Sequence, residues 1–263
     1  MGKNSQSLVL RMRHLSGQAY GLNILMCRRY LVLRSIFVVI VMKNSIYLRW
    51  LTWLAIVAII GFFVGLWLDV LWLRLVCKPL PVFILMVVLL WCQPQRPGKA
   101  IIGGLFLSMI GDVLLEIPAN LFVPGLIAFL LAHLCYIAAF VSRSRALGLV
   151  WLLPFGLWCG GMYAWMAPGL AAKKLVIPVA VYVLVICIMM WRAAAAWKAQ
   201  DIASKIALIG AIFFAFSDSC IAVNKFISPF AGARELIIAT YWIGQFGIAY
   251  SVLRPHLHKQ NHQ

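Results

Sequence analysis

Apolar positions along this chain are gathered into eight long runs, near residues 50–68, 75–92, 100–117, 121–141, 147–167, 175–197, 205–223 and 235–253. Each run approaches the ~20 residues that a helix needs to cross the hydrocarbon of a bilayer. Several are short or carry Gly and Pro near their ends, which membrane helices tolerate better than soluble ones. The third and fourth runs are the most tightly joined, around Pro118-Ala-Asn120. The pattern predicts an all-α, polytopic membrane protein with eight transmembrane helices.

Residues 1–41 depart from this pattern. Their apolar stretches are cut by Arg11, Arg13, Arg28, Arg29 and Arg34, and none reaches the length of a span. From Met42 the chain reads Met-Lys-Asn-Ser-Ile-Tyr-Leu-Arg and then turns apolar. The expectation is a basic extension over 1–41, disordered or non-native, with Met42 as the natural start. The transmembrane domain is then 42–254, and 255–263 is a polar C-terminal tail.

Composition narrows the classes. Hydrophobic residues make up 65% of the chain, charged ones 11%, and mean hydropathy is +0.99. A soluble domain is nearer ~45–50% apolar and ~25% charged, so a core of this size cannot hide the excess and lipid must be the solvent. The net charge of +17 would point to nucleic acid in a soluble protein. Here the cations sit in the N-terminal segment and in short connections, so no nucleic-acid partner is expected. Assigned to alternate sides, Lys and Arg divide 17 against 6, with Arg74, Lys78, Lys173, Lys174, Lys225 and Arg234 on the poorer side. Both termini are therefore expected in the cytoplasm, in a bacterial inner membrane. The seven cysteines are scattered with no C-x-x-C spacing, so neither a disulfide framework nor a metal site is expected.

The chemistry begins with two of the six carboxylates. Asp112 and Asp218 fall inside apolar runs, where a charged carboxylate costs ~2.5–3.5 kcal/mol on insertion scales. Each follows a small residue, Gly111 or Ser217, and each has a Gly eight residues earlier, Gly104 or Gly210. This echo suggests a parallel four-plus-four repeat. The bland reading is that both acids cap helix ends in headgroup water. Glu116, one turn after Asp112, is either solvated at the interface or a second acid in the same cavity. Gly125, Phe129, His133, Tyr136 and Phe140 lie on one helical stripe. Most of it is ordinary packing, but a buried imidazole needs partners, so His133 is either a packed or a site histidine. Lys78 opens the second span and either snorkels to headgroups or meets a phosphate or an acid. Asn224 ends the seventh span, and Tyr241 and Gln245 lie one turn apart on the last.

Together these stretches resemble the YhhN family, which includes the lysoplasmalogenases: Lys-Pro-Leu-Pro at 78–81, Phe106 to Gly111-Asp112, Pro124-Gly125-Leu to Ala132-His133-Leu-Cys-Tyr136, Gly210 to Ser217-Asp218-Ser, Asn224-Lys-Phe226, and Thr240-Tyr241 with Gln245. The resemblance covers about residues 46–253; residues 1–41 have no counterpart. It implies an eight-span membrane hydrolase that cleaves the vinyl-ether bond of lysoplasmalogens to a fatty aldehyde and glycerophospho-ethanolamine or -choline. It maps the family's paired acids onto Asp112 and Asp218. Its polar positions fall on Lys78, His133, Tyr136, Asn224, Tyr241 and Gln245; with Glu116, taken from its place one turn after Asp112, these are the expected substrate-binding residues. No metal and no cofactor are implied.

The reaction suits those residues. Protonation of a vinyl ether at its β-carbon gives an oxocarbenium ion; water adds, and the hemiacetal collapses. Two carboxylates in one pocket, holding a single proton between them, would supply the acid and the anion. The expected partners are membrane lipids and a lysolipid whose chain enters from the bilayer, its headgroup staying near Lys78. Oligomeric state is left open. The rival readings are a small proton-coupled transporter and a lipid-sensing protein without turnover.

Overall fold

The computed structural model describes residues 45–92 and 96–260. The expected extension over 1–41, the start at Met42, and residues 261–263 of the polar tail lie outside the described residues, as do the side chains of 254–260. The chain divides into two units, residues 1–53 and 54–263. The described part of the first is the opening of a helix, in which Thr52 Oγ1 donates to the Leu48 carbonyl at 2.9 Å. The second unit holds the remainder of that helix and every later element.

Among the described residues, every regular element is helical. In chain order they are α1 (Ser45–Trp67), α2 (Leu71–Cys77), α3 (Leu80–Cys92), α4 (Arg96–Glu116), α5 (Phe122–Arg143), a short 3₁₀ turn at Leu149–Trp151, α6 (Leu152–Ala172), α7 (Val176–Ala195), α8 (Ile202–Phe226) and α9 (Ala233–Gln260). They supply eight stretches long and apolar enough to cross a membrane, from Ile46–Trp67 to Ala233–Leu253. The protein is an integral membrane protein. Helices are the form such stretches must take, because hydrocarbon offers no partner to an unpaired N–H or C=O.

The second span corrects one expectation. It begins at Leu71 and combines α2 and α3, so Lys78 lies inside it and does not open it. Pro79 brings no N–H, which interrupts the helix between Cys77 and Leu80; the ladder resumes with Phe83 N to the Pro79 carbonyl at 2.9 Å. Trp242 Nε1, on α9, donates to the Lys78 carbonyl at 3.2 Å beside the break.

Packing is most extensive between α8 and α9 and between α4 and α5. Glycines make both possible. A Cβ on Gly210 would stand 2.7 Å from Ile248 N and 2.8 Å from the Gly244 carbonyl oxygen, so α8 and α9 touch backbone to backbone. A Cβ on Gly104 would enter the Tyr136 ring, and one on Gly111 would meet the Phe129 ring at 2.6 Å. The last span is the most enclosed, 67% buried against 17% for Leu149–Ala172. Leu157, Ile177 and Phe246 point outward from their helices, as lipid-facing positions do. The α5 stripe of Gly125, Phe129, His133, Tyr136 and Phe140 is buried throughout, as its spacing predicts.

Candidate active site

One apolar cavity has a polar group set into its wall. It is bounded by Leu126 and Phe129 of α5, Met162 and Met166 of α6, Tyr182 of α7 and Asp218 of α8. The Asp218 Oδ2 accepts from Tyr182 Oη at 2.9 Å and lies 3.1 Å from His133 Nε2, which is also 3.2 Å from Tyr182 Oη. His133 is fully buried, and its Nδ1 has no hydrogen-bond partner among the described residues. That leaves Nε2 as the nitrogen that engages the carboxylate. Nothing among the described residues hydrogen-bonds Asp218 Oδ1. The carboxylate is therefore held by one oxygen, with the other uncommitted at the cavity.

Asp112 belongs to a second set. It is 1% exposed and its Oδ2 accepts from Tyr241 Oη at 2.7 Å. Around it, Tyr136 Oη donates to Gln245 Oε1 at 2.7 Å and lies 3.4 Å from Ser108 Oγ. Four of the expected site residues, Asp112, Tyr136, Tyr241 and Gln245, thus come together with Ser108, which the sequence did not flag. Asp112 does not line the cavity that Asp218 faces.

The two acids were expected to meet in one pocket, and they have separate partners. Aromatic rings join the two sets. The Phe214 ring lies 5.3 Å from that of Tyr241 and 4.7 Å from that of His133, edge-on to both. Phe129 packs edge-on against Phe214 and Tyr241. The path from one carboxylate to the other runs Asp112, Tyr241, Phe214, His133, Asp218.

A third polar set gathers at one end of the helices. The Glu116 carboxylate is 7% exposed and receives Arg74 Nε at 2.8 Å, Lys78 Nζ at 3.1 Å and Arg234 Nη2 at 3.0 Å. It is therefore not a solvated interfacial acid but one tied to three cations. Arg74 is also held by Asp69 at 2.7 Å, in a turn where Asp69 takes a φ of 52°. Asn224 Oδ1 accepts from Phe230 N at 3.3 Å.

The sequence missed Tyr182, Arg74 and Arg234. Tyr182 sits in the apolar run Val-Tyr-Val-Leu-Val and carries no local mark of its role. The two arginines entered only as topology charges, although Arg234 pairs with a residue 118 positions away.

The YhhN family model matches residues 73–252. The chain is 34% identical to lysoplasmalogenase TMEM86A of Bos taurus over 197 residues, 69% of this chain and 79% of that protein. It is 33% identical to lysoplasmalogenase TMEM86B of Homo sapiens over 185 residues, 70% of this chain and 76% of that protein. It is also 35% identical to the lysoplasmalogenase of Mycobacterium tuberculosis over 162 residues, 56% of each chain. No solved structure matches significantly.

Proposed function

The chain belongs to the YhhN family, and from that premise we propose that it is a membrane-embedded ether hydrolase. Its substrate is a lysoplasmalogen-type lysolipid, cleaved at the vinyl-ether bond to a fatty aldehyde and glycerophospho-ethanolamine or -choline. The observation that carries this is the set of Asp218, His133 and Tyr182 in the wall of an otherwise apolar cavity. The lysoplasmalogenase names of the matched relatives support the choice of bond.

The alkenyl chain lies in the cavity, with its ether end at Asp218. His133 and Tyr182 anchor Oδ2, and Oδ1 delivers a proton to the β-carbon of the vinyl ether. The carboxylate left behind stabilises the oxocarbenium ion, in a low-dielectric site where a fixed charge acts strongly. Water adds to the α-carbon and its proton returns through the Asp218–His133 pair. The hemiacetal C–O bond then breaks, with the proton going to the glycerol oxygen and the aldehyde leaving. One water is consumed and the pair ends as it began.

Asp112 acts from behind this site. Its bond to Tyr241 fixes the ring against which Phe214 and Phe129 pack, and so sets the floor on which His133 rests. Tyr136 and Gln245 complete that floor.

From the 17-to-6 division of Lys and Arg we infer that both termini face the cytoplasm. We assign the protein to a bacterial inner membrane.

The test is aldehyde release by purified protein in detergent, supplied with a lysoplasmenyl lipid and no ion gradient. An enzyme turns over under these conditions. A proton-coupled transporter needs sealed vesicles and releases no aldehyde, and that outcome would remove the hydrolase reading.

A further inference from the structure

Five of the six cations on the poorer side of the membrane are drawn into one region. Arg74, Lys78 and Arg234 converge on Glu116, and Lys173 donates from its Nζ to the Lys225 carbonyl. A second cavity opens here, lined by Lys78, Glu116, Asn224, Lys225 and Arg234. Its wall carries three cations and one carboxylate, so it is net positive. The cations differ in how far they are committed. Lys78 is 14% exposed and spent on Glu116, whereas Arg234 is 51% exposed with one guanidinium nitrogen on Glu116. Lys225 meets no carboxylate among the described residues; its Nζ rests 4.2 Å from the centre of the Phe122 ring.

This cavity adjoins the apolar one. Leu115, Phe122 and Ile221 line both. Asp218 and Lys225 stand seven residues apart on α8, or ~10.5 Å along a helix axis. In a lysophospholipid five bonds, about 6 Å extended, separate the sn-1 oxygen from phosphorus. A lysine or arginine side chain covers the rest.

We propose that this basic cavity is a subsite for the phosphodiester of the lysolipid, bound by Arg234 and Lys225, with Lys78 and Asn224 beneath. It rests on the reading that Asp218 marks the ether end of the same ligand. A guanidinium offers two parallel N–H groups to phosphate oxygens, and Arg234 has nitrogens to spare. Glu116 serves as a counter-charge that holds the cations in place before the ligand arrives.

Three measurements test it. The first compares kcat/KM for lysoplasmenylethanolamine and for the neutral 1-alkenylglycerol that lacks phosphate. Wild type favours the phospholipid, and Arg234→Gln and Lys225→Gln each cut that preference about tenfold, through KM, as expected for losing one charge-assisted contact. Arg234→Lys restores part of it. An equal fall for both substrates, or an unchanged preference, would overturn the subsite.

The second does not depend on turnover: a 1-alkyl lysophosphatidylethanolamine, which has no vinyl ether, is titrated against 1-alkylglycerol with melting temperature as readout. The phospholipid stabilises wild type more, and Lys225→Gln removes the difference. Should wild type release no aldehyde from any substrate, the hydrolase reading fails while this comparison still decides the phosphate subsite. The third titrates inorganic phosphate alone. A shift equal to that of the lysophospholipid would assign the cavity to a free anion and overturn the lipid assignment.

Discussion

Asp112 and Asp218 share a local sequence, a small residue before the acid and a glycine eight positions earlier, yet they end in opposite surroundings. Asp112 is sealed, with Tyr241 as its donor. Asp218 lines a cavity and keeps one carboxylate oxygen uncommitted. The neighbours make the difference. On α4, Gly104 and Gly111 let the Tyr136 and Phe129 rings of α5 come down onto the helix and close the space. On α8, glycine draws in α9 on one side, while the side bearing Asp218 looks toward α6 and α7 across Met162, Met166 and Tyr182. An acid in an apolar run thus announces that the membrane has been made to hold a carboxylate; the facing helices decide whether it meets substrate.

That asymmetry predicts a graded series of losses. Asp218→Asn should cost most, about a thousandfold in aldehyde release, the range of a lost general acid. Insertion and melting temperature should be close to wild type, because the residue is a wall group. Near-normal turnover in this variant would end the mechanism. His133→Gln comes next, at about a hundredfold in kcat, since it removes the second proton-carrying group of the pair. Tyr182→Phe deletes one hydrogen bond to the carboxylate and should lower kcat/KM about tenfold. Asp112→Asn should cost least in turnover, a few-fold, because asparagine still accepts from Tyr241. A melting curve sharpens this last case: Asp112→Ala strands the buried Tyr241 hydroxyl and should destabilise by about 1–3 kcal/mol. If Asp112→Asn instead matched Asp218→Asn in steady-state kinetics, the two acids would be working as equals and the asymmetry would be broken.

Much of this was readable from sequence, and the reason is solvation. The eight runs match the eight spans with ends shifted by a few residues, because hydrocarbon thickness imposes one length on every crossing. Asp112 and Asp218 stood out because their insertion cost had to be offset by something, and His133 because its stripe would bury it. What stayed hidden was pairing at long range. Nothing near Tyr182 indicates that it faces Asp218, 36 residues on. Glu116 looked like an interfacial acid because its three cations come from α2, from the break before α3 and from the start of α9. The shared pocket expected for the two aspartates gave way to two sets of partners, with the rings of Phe129 on the stripe and Phe214 on α8 packed between them. The basic segment before Met42 adds nothing here, as it lies outside the described residues.

The methionines of the cavity carry one more consequence. Met162, Met166 and Met190 line the space assigned to the hydrocarbon tail, and a thioether side chain, unbranched and polarizable, reshapes itself around whatever it contacts. A wall of this kind accommodates; it does not measure. If the proposed lysolipid is the substrate, tails of different length and unsaturation should therefore be handled at similar rates, and discrimination should lie at its polar end.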